Sequence, residues 1–250
     1  MDTFQQHLHT YQATVKSDME KRMAFIRDQI DGQGLGGAVV GISGGIDSAV
    51  VAALCVRALG RERVIGVWMP ANSLSIHAED AAILAEAIDL NLVTVDLGPT
   101  FETIMGELSQ VMAFNDKTKG NTKARLRMTT LYAIANEKGY LVVDTCNYSE
   151  LYIGYMTKGG DGLGDINPVS SLTKHEIRIL AAELGVPESI ITKAPSADLW
   201  AGQTDEQEMG FTYEELDRFL ITGETTPQAK ERILHLHRIS EHKRTLAPGI

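Results

Sequence analysis

Cysteine is scarce in this chain, and long apolar runs are absent from it. The 250 residues include only two cysteines, Cys55 and Cys146, which lie far apart and form no CxxC pair. This excludes a disulfide scaffold and a cysteine zinc site, and it fits the reducing cytosol. The longest apolar run, 49–56, has eight residues, whereas a membrane helix needs about 18. The first residues contain no basic or apolar leader segment, so we expect no signal peptide and a cytoplasmic protein.

Positive charge is also in short supply. Lysine and arginine together number 23, against 33 aspartates and glutamates, and the net charge is −10 at pH 7. An acidic chain is a poor general binder of nucleic acids or anionic membranes. We therefore expect neither nucleic acid nor a membrane as a partner. A polyanionic ligand should be small, and it should bind where positively charged groups are concentrated.

Short apolar runs alternate with segments of helical length. Runs typical of strands that are buried on both faces lie at 38–42, 64–69, 92–95 and 140–143. Helices are predicted at 48–59, 76–88, 101–112, 122–137, 173–184, 213–220 and 227–239. The alternation predicts an α/β fold, a doubly wound parallel sheet with helices on both faces. Without a linker or an internal repeat, residues 1–250 are expected to form a single domain.

Three other segments have distinctive patterns. Ser17 and Glu20 form a capping-box pattern, which predicts an N-terminal helix from about 17 to 31. Five glycines among the eleven residues 154–164 are typical of a binding loop, and we expect a mobile loop at about 154–165. Residues 196–210 are predicted to be a loop.

Ligands of parallel sheets bind at the carboxyl ends of the strands. The segments that follow the predicted strands, and that should therefore carry the site, are 43–48, 70–75, 97–100 and 144–150.

The strongest local motif is Ser43-Gly44-Gly45-Ile46-Asp47-Ser48, between a strand and a helix. Its glycines allow backbone N–H groups to approach a ligand, two hydroxyls add donors, and the helix N-terminus adds positive potential. These features predict an anion pocket. Asp47 would repel a bare phosphate, but it fits there if Mg²⁺ bridges it to phosphate oxygens. No Lys-Ser/Thr pair follows, so the motif is not a Walker A loop.

Other interpretations of these glycines stay open. Gly41-x-Ser43-x-Gly45 also matches the nucleophile elbow of hydrolases, in which Ser43 would be the nucleophile, although this leaves Asp47 without a role. An ordinary glycine turn is the plainest alternative. Gly32-x-Gly34-x-x-Gly37 matches a dinucleotide fingerprint, but it precedes the strand and is better interpreted as a turn.

The Ser-Gly-Gly-x-Asp-Ser loop resembles that of the ATP pyrophosphatase (PP-loop) superfamily, whose fold is Rossmann-like, of the adenine nucleotide alpha hydrolase type. The loop alone does not distinguish among the members of this superfamily. These include NAD synthetases, GMP synthetases, asparagine and argininosuccinate synthetases, and tRNA-modifying enzymes. With later motifs in order, the chain from about 17 to 245 resembles ammonia-dependent NAD⁺ synthetases. These motifs are Asn121-x-x-Ala124-Arg125-x-Arg127-Met128, Thr145-x-Asn147-x-Ser149-Glu150, Gly154-Tyr155-x-Thr157-Lys158-x-Gly160-Asp161, Pro195-Ser196-Ala197-Asp198-Leu199 with Gln203-x-Asp205-Glu206 and Gly210, and Glu241-His242-Lys243-Arg244.

This resemblance implies a reaction in which ATP adenylates the nicotinate carboxylate of deamido-NAD⁺, pyrophosphate leaves, and ammonia displaces AMP. It implies Mg²⁺ as cofactor and a homodimer, whose interface could involve the N-terminal helix and helix 122–137. Neither cysteine has a recognisable amidase setting, so free ammonia is the expected nitrogen source, and a separate glutaminase partner stays open.

The resemblance also implies roles for individual residues. The ATP contacts are Gly41, Ile42, Ser43, Gly44, Gly45, Ile46, Asp47, Ser48, Thr145, Lys174 and Ser196. The deamido-NAD⁺ contacts are Arg125, Tyr155, Lys158, Asp165, His242 and Lys243. The metal ligands are Asp47 and Glu150, and the catalytic residues are Asp47, Lys158 and Lys174.

Each role has a simpler alternative. Glu150 could be a solvated carboxylate, Lys174 an exposed residue in the first turn of a helix, and Asp165, like Asp161, a turn former. One of Arg125 and Arg127 could be only solvated, and His242-Lys243 could be a solvated tail. His235-x-His237 lacks a third metal ligand in the sequence.

The chain also departs from the family pattern. Asp144 stands where glycine is expected, Gly159 replaces a common aromatic residue, and 70–79 lacks a basic residue. Two other functions stay open: another adenylating PP-loop enzyme, such as a tRNA thiolase, and a module that binds ATP without turnover.

Overall fold

A parallel four-stranded sheet forms the centre of the molecule. The computed structural model describes residues 2–71, 75–193 and 204–249. The strands are β1 (Gly37–Ile42), β2 (Val64–Trp68), β3 (Asn91–Thr94) and β4 (Tyr140–Val143), in the spatial order β3-β2-β1-β4. All neighbouring strands are parallel, and β1 pairs with β2 on one side and with β4 on the other. The strand order reverses between β1 and β4, and such a switch point is where ligands of open α/β sheets bind.

Helices make up most of the remaining described chain. They are α1 (Thr3–Asp31), α2 (Ile46–Leu59), α3 (Ser75–Ala87), α4 (Gly98–Ser109), α5 (Asp116–Lys138), α6 (Tyr148–Ile153), α7 (Lys174–Glu183), α8 (Glu188–Ile191), α9 (Asp205–Met209), α10 (Tyr213–Thr222) and α11 (Pro227–Ile239). None of these helices, within the part of the chain that is described, is long and apolar enough to cross a bilayer.

The sheet buries apolar side chains on both faces, as the continuous apolar strands predict. On one face, Val40 and Ile42 belong to the largest core cluster, to which α1, α2, α3 and α7 also contribute. On the other face, Val39 and Val142 pack with Met128, Leu131 and Ala135 of α5. The predicted doubly wound sheet with helices on both faces is therefore confirmed.

A third apolar cluster lies outside the sheet. It is formed by α6, α9, α10 and α11, and its fully buried side chains include Tyr213, Leu216 and Ile233. This layer matters for the site because α6 begins a few residues after β4, at the switch point.

The predicted start of the N-terminal helix at residue 17 is wrong. Helix α1 begins at Thr3, with Asp2 as its N-cap accepting a hydrogen bond from the backbone N–H of Gln5, and Ser17 lies inside the helix. Contacts with other helices fix the first turns. Phe4 packs edge-on against the ring of His175, and His7 Nε2 lies 2.9 Å from Glu176 Oε1. The capping-box pattern of Ser17 and Glu20 is local in sequence, so it does not predict contacts between the first turns of α1 and α7.

Several other bounds differ from the prediction by one to three residues, and two segments differ by more. Of the predicted loop 196–210, residues 196–203 lie outside the described chain, and residues 205–209 form α9, whose N-cap is Thr204. Helix α5 begins at Asp116, earlier than the predicted 122, because the side chain of Asn115 caps it. Residues 154–165 contain no helix or ladder strand, as their glycine content predicts, and their mobility stays a prediction.

Candidate active site

The loop that follows β1 is tied into a fixed shape by its own hydroxyls. Ser48 Oγ accepts from Ser43 N (3.2 Å) and donates to Gly45 O (3.0 Å), while Ser43 Oγ accepts from Gly45 N (3.1 Å). Gly44 has φ of +80°, and a Cβ there would lie 3.0 Å from the carbonyl oxygen of His77. The loop leads directly into α2, whose N-cap, Gly45, has no side chain to satisfy the first N–H groups. Those donors suit an anion.

A buried lysine lies between two carboxylates beside this loop. Lys174 Nζ is 2.6 Å from Asp47 Oδ2 and 3.1 Å from Glu150 Oε1, and Lys174 is only 2% exposed. Asn147 Nδ2 donates to the other oxygen of Asp47 at 2.8 Å. The alternative in which Lys174 is an exposed first-turn residue is therefore wrong. Glu150 is not solvated either, because its side chain is 14% exposed and hydrogen-bonded.

Burial and charge shift the pKa values in this cluster. Burial raises the pKa of Glu150, and the nearby charge of Lys174 opposes that rise. Burial alone would lower the pKa of Lys174, but the charges of Asp47 and Glu150 outweigh it and raise that pKa. The lysine is therefore held protonated beside the anion loop.

Hydrogen bonds of Tyr213 and Tyr155 extend the charged cluster to Asp205 and Glu208. The sequence analysis did not predict this network. The hydroxyl of Tyr213 lies 3.3 Å from Glu150 Oε1 and 3.2 Å from Asp205 Oδ2. The hydroxyl of Tyr155 donates to Asp205 Oδ1 and to Glu208 Oε2, at 3.1 and 3.0 Å. Asn147 and Asp205 stood in recognised motifs without an assigned role, whereas nothing in the sequence pointed to Tyr213.

A cavity of about 280 Å³ opens at the switch point. The loop residues 41–48 line it, together with Thr145, Glu150, Tyr155 and Lys174. Asp144 and Arg127 also line it, and burial raises the pKa of the Asp144 carboxyl to about 6. The structure thus brings most of the predicted ATP residues to one place. Ser196 lies outside the described residues.

The residues predicted to contact deamido-NAD⁺ lie mainly beside the cavity, on the glycine-rich segment and the C-terminal tail. Lys158 Nζ donates to His242 O at 2.6 Å, and Arg125 Nε donates to Lys158 O at 3.2 Å. Lys243 Nζ donates to Gly154 O and Met156 O, at 2.8 and 2.6 Å. The His242-Lys243 pair is therefore docked against the glycine-rich segment. In the described chain, only Tyr155 of the six predicted residues lines the cavity.

The two aspartates of this segment have local structural contacts. Asp161 Oδ1 accepts from Thr157 N at 2.9 Å, which closes a turn. Asp165 Oδ2 accepts from Val142 N of β4 at 2.8 Å, and its Oδ1 accepts from the hydroxyl of Tyr132 at 3.2 Å. Asp161 is thus a turn former, and Asp165 fastens the segment to the sheet.

Within the described residues, no group of three or more His, Cys, Asp or Glu side chains is arranged to hold a metal ion. Asp47 and Glu150 nevertheless form a pair of carboxylates at the mouth of the anion loop, and they share one lysine. Mg²⁺ commonly uses only one or two protein carboxylates and takes its other ligands from water and substrate phosphates. The donor set therefore fits Mg²⁺ that arrives with a nucleotide.

Comparison with known proteins decides the family. A model of the NAD synthase family matches residues 18–247. The chain belongs to the NAD synthase family. It is 42% identical to the NH(3)-dependent NAD(+) synthetase of Alkaliphilus oremlandii, over 94% of this chain and 97% of that relative.

Two solved structures support the same assignment. The NMN synthetase from Francisella tularensis superposes with a TM-score of 0.90 at 38% identity, over 94% of this chain and 98% of that one. The NH3-dependent NAD synthetase from Campylobacter jejuni superposes with a TM-score of 0.78 at 30% identity, over 94% and 98%. Membership of this family resolves the choice among PP-loop enzymes, and it leaves no support for Ser43 as a hydrolase nucleophile.

Proposed function

We propose that this chain is a ligase, an ammonia-dependent NAD⁺ synthetase, which converts the nicotinate carboxylate of deamido-NAD⁺ into an amide. The observation that carries the proposal is the buried ammonium of Lys174, held beside the anion loop by Asp47 and Glu150. ATP would adenylate the carboxylate and release pyrophosphate, and ammonia would then displace AMP.

The chemistry needs the charges that these residues provide. A carboxylate is a poor acyl donor until one of its oxygens carries a good leaving group. Negative charge grows on the pyrophosphate as it departs, and fixed donors and cations stabilise that charge best in a site that excludes water. The backbone of 43–48, the hydroxyls of Ser43 and Ser48, and Lys174 would meet the pyrophosphate. Thr145 and Ser196 would contact the rest of ATP.

Asp47 and Glu150 are the residues that would hold Mg²⁺. The ion would neutralise part of the phosphate charge when it is bound. Because the two carboxylates already share Lys174, binding of a metal nucleotide would require them to divide their oxygens between the lysine and the ion.

The second substrate would be held by Arg125, Tyr155, Lys158, Asp165, His242 and Lys243. The contacts of Lys158 and Lys243 with main-chain oxygens support this, because they join the C-terminal tail to the glycine-rich segment beside the cavity. Lys158 would act catalytically only if closure of 154–165 brings it to the reacting centre. We also propose a cytoplasmic location, which fits the two unpaired, buried cysteines, and a homodimer, which the resemblance to the family implies.

One observation favours a second substrate. The solved structure with a TM-score of 0.90 is that of an NMN synthetase, and the nicotinate mononucleotide carries the same carboxylate as deamido-NAD⁺. The adenylation chemistry is unchanged, and only recognition of the remaining half of the dinucleotide would differ.

Product analysis with each substrate tests both possibilities. Purified protein is incubated with ATP, Mg²⁺ and ammonia plus either deamido-NAD⁺ or nicotinate mononucleotide, and AMP, pyrophosphate and amide are measured. Equal amounts of the three products, with a higher kcat/KM for deamido-NAD⁺, support the proposal, and a higher kcat/KM for the mononucleotide supports the alternative. Release of AMP with neither nicotinate substrate present would contradict both. Glutamine in place of ammonia tests whether a separate glutaminase is needed.

A further inference from the structure

Helix α10 lies behind the charged cluster and presents two side chains to it, Tyr213 and Asp217. They stand four residues apart and therefore share one face of the helix. Tyr213 contacts Glu150 directly, as described above. Asp217 is fully buried, with 0% exposure, and it does not line the cavity. Burying a carboxylate costs free energy unless hydrogen bonds compensate the lost hydration. The hydrogen-bond partners of Asp217 therefore indicate its role.

Those partners are the neighbours of the two charged residues. Asp217 Oδ1 accepts from the hydroxyl of Ser149 at 2.5 Å, and Ser149 directly precedes Glu150 on α6. Asp217 Oδ2 accepts from the backbone N–H of His175 at 2.9 Å and contacts His175 Nδ1 at 2.6 Å. His175 directly follows Lys174 at the start of α7.

Ser149 closes this arrangement. Its Oγ also accepts from the backbone N–H of Lys174 at 3.1 Å. The N–H groups of the first turn of a helix have no partner within that helix, and here Ser149 and Asp217 bind the first two of α7. One buried carboxylate thus joins α6, α7 and α10 at Ser149 and His175, the residues adjacent to Glu150 and Lys174.

We propose that Asp217 is a positioning residue for the reaction. It fixes the first turn of α7 and the second residue of α6, and through them it holds the ammonium of Lys174 between Asp47 and Glu150. This inference depends on the proposed function, because it gives Lys174 the task of meeting the departing pyrophosphate.

Misplacement of a charged group by about 1 Å can cost about 100-fold in rate. An interaction that strengthens only as charge develops lowers kcat when it is lost, and it leaves KM nearly unchanged. The hydrogen bonds of Asp217 and Ser149 to the start of α7 are called the link below. Loss of this link should change kcat more than KM, whereas general destabilisation changes the amount of folded protein. That difference separates positioning from a merely structural role.

The test uses three variants of the link and one control. Asp217→Ala and Ser149→Ala break it, and Asp217→Asn keeps an oxygen that can accept from His175. Leu216→Ala is the control, because Leu216 is the adjacent residue of α10, is also 0% exposed, and belongs to the apolar cluster. For each variant, the melting temperature, kcat, and KM for ATP and for the nicotinate substrate are measured well below the melting temperature.

We expect kcat of Asp217→Ala and Ser149→Ala to fall by about tenfold or more, with KM for ATP changed by less than about threefold. Asp217→Asn should recover most of kcat, and Leu216→Ala should keep kcat within about twofold despite a lower melting temperature. The inference is overturned if Ser149→Ala keeps full kcat, or if Leu216→Ala loses as much kcat as the link variants. Should Asp217→Ala fail to fold, Ser149→Ala against Leu216→Ala decides. Absence of amide product from the unmodified protein would instead overturn the proposed function.

Discussion

Lys174 illustrates how far a single residue can be understood from its position in the sequence. The resemblance to the family implied an ATP contact, while its place after the cap Thr173 equally suited an exposed helical lysine. Its 2% exposure and its two carboxylate partners support the functional interpretation. Breaking a buried ion pair leaves an uncompensated charge and costs about 3–5 kcal/mol, whereas an exposed pair contributes at most about 1 kcal/mol.

Lys174→Met should therefore reduce both stability and activity. We expect a loss of about 3–5 kcal/mol in the free energy of unfolding, because Asp47 and Glu150 would face each other without the ammonium, and amide formation should be lost. Urea unfolding and product analysis measure the two effects. Lys16→Met is the control, since Lys16 pairs with Glu183 on the surface at 3.7 Å. Equal effects of the two substitutions would contradict the account.

Asp144 should make stability depend on pH in an unusual direction. Burial raises its pKa from an ordinary value of 3.8 to about 6, so the folded protein binds more protons than the unfolded chain between these values. Stability contributed by this group therefore falls as pH rises from about 4 to about 6, by at most about 3 kcal/mol. Asp144→Asn should remove this dependence and become increasingly more stable than the unmodified protein across that range. Parallel curves of unfolding free energy against pH for the two proteins would show that Asp144 carries no such penalty.

At the scale of an element, the loop 43–48 shows why two glycines precede α2. Gly44 has a positive φ and lies against the backbone of His77. The sequence predicted close approach of a ligand at this loop, and the structure adds close approach of α3. Gly44 therefore has two functions in the loop: it allows the backbone to turn, and it allows α3 to pack against the loop where the loop lines the cavity.

Gly44→Ala should impair ATP binding beyond its effect on stability. Gly223 provides a matched control, because its φ is +79° and a Cβ there would meet nothing within 4 Å. Each alanine should cost about 1–2 kcal/mol of conformational strain, but only Gly44→Ala should raise KM for ATP. The free energy of unfolding and KM for ATP are measured for both variants. If both raise KM for ATP equally, the shape of the loop is not what binds the nucleotide.

The glycine-rich segment should respond to substrates as a unit. The adenylate must be shielded, since water would hydrolyse it before ammonia attacks. Amide hydrogen exchange of residues 154–165 should therefore slow when ATP, Mg²⁺ and deamido-NAD⁺ are added together, while exchange of β4 stays unchanged. Exchange that is already slow in the free protein, and unaffected by ligands, would show a rigid structural loop.

For the whole molecule, the sequence predicted the sheet well because strands buried on both faces leave continuous apolar runs. The bounds of β4 were predicted as observed, and β1 begins one residue before the predicted 38. The start of α1 and the existence of α9 were not predicted. Each begins at a single capping residue, Asp2 or Thr204, and contacts with α7 hold the first turns of α1. In the site, the resemblance to the family brought Asp47, Glu150 and Lys174 into consideration. Tyr213 and Asp217 were not predicted, because their contacts depend on how α10 packs against α6 and α7.

In the proposed reaction, the nicotinate carboxylate attacks the α-phosphorus of ATP. The most direct measurement follows oxygen from a substrate whose carboxylate is labelled with ¹⁸O, in a complete reaction with ATP, Mg²⁺ and ammonia. Formation of the amide from an acyl-adenylate must transfer one carboxylate oxygen to AMP. Adenylation of the carboxylate predicts one ¹⁸O atom in the phosphate of each AMP, with none in pyrophosphate. Unlabelled AMP, or products in the form of ADP and phosphate, would contradict it.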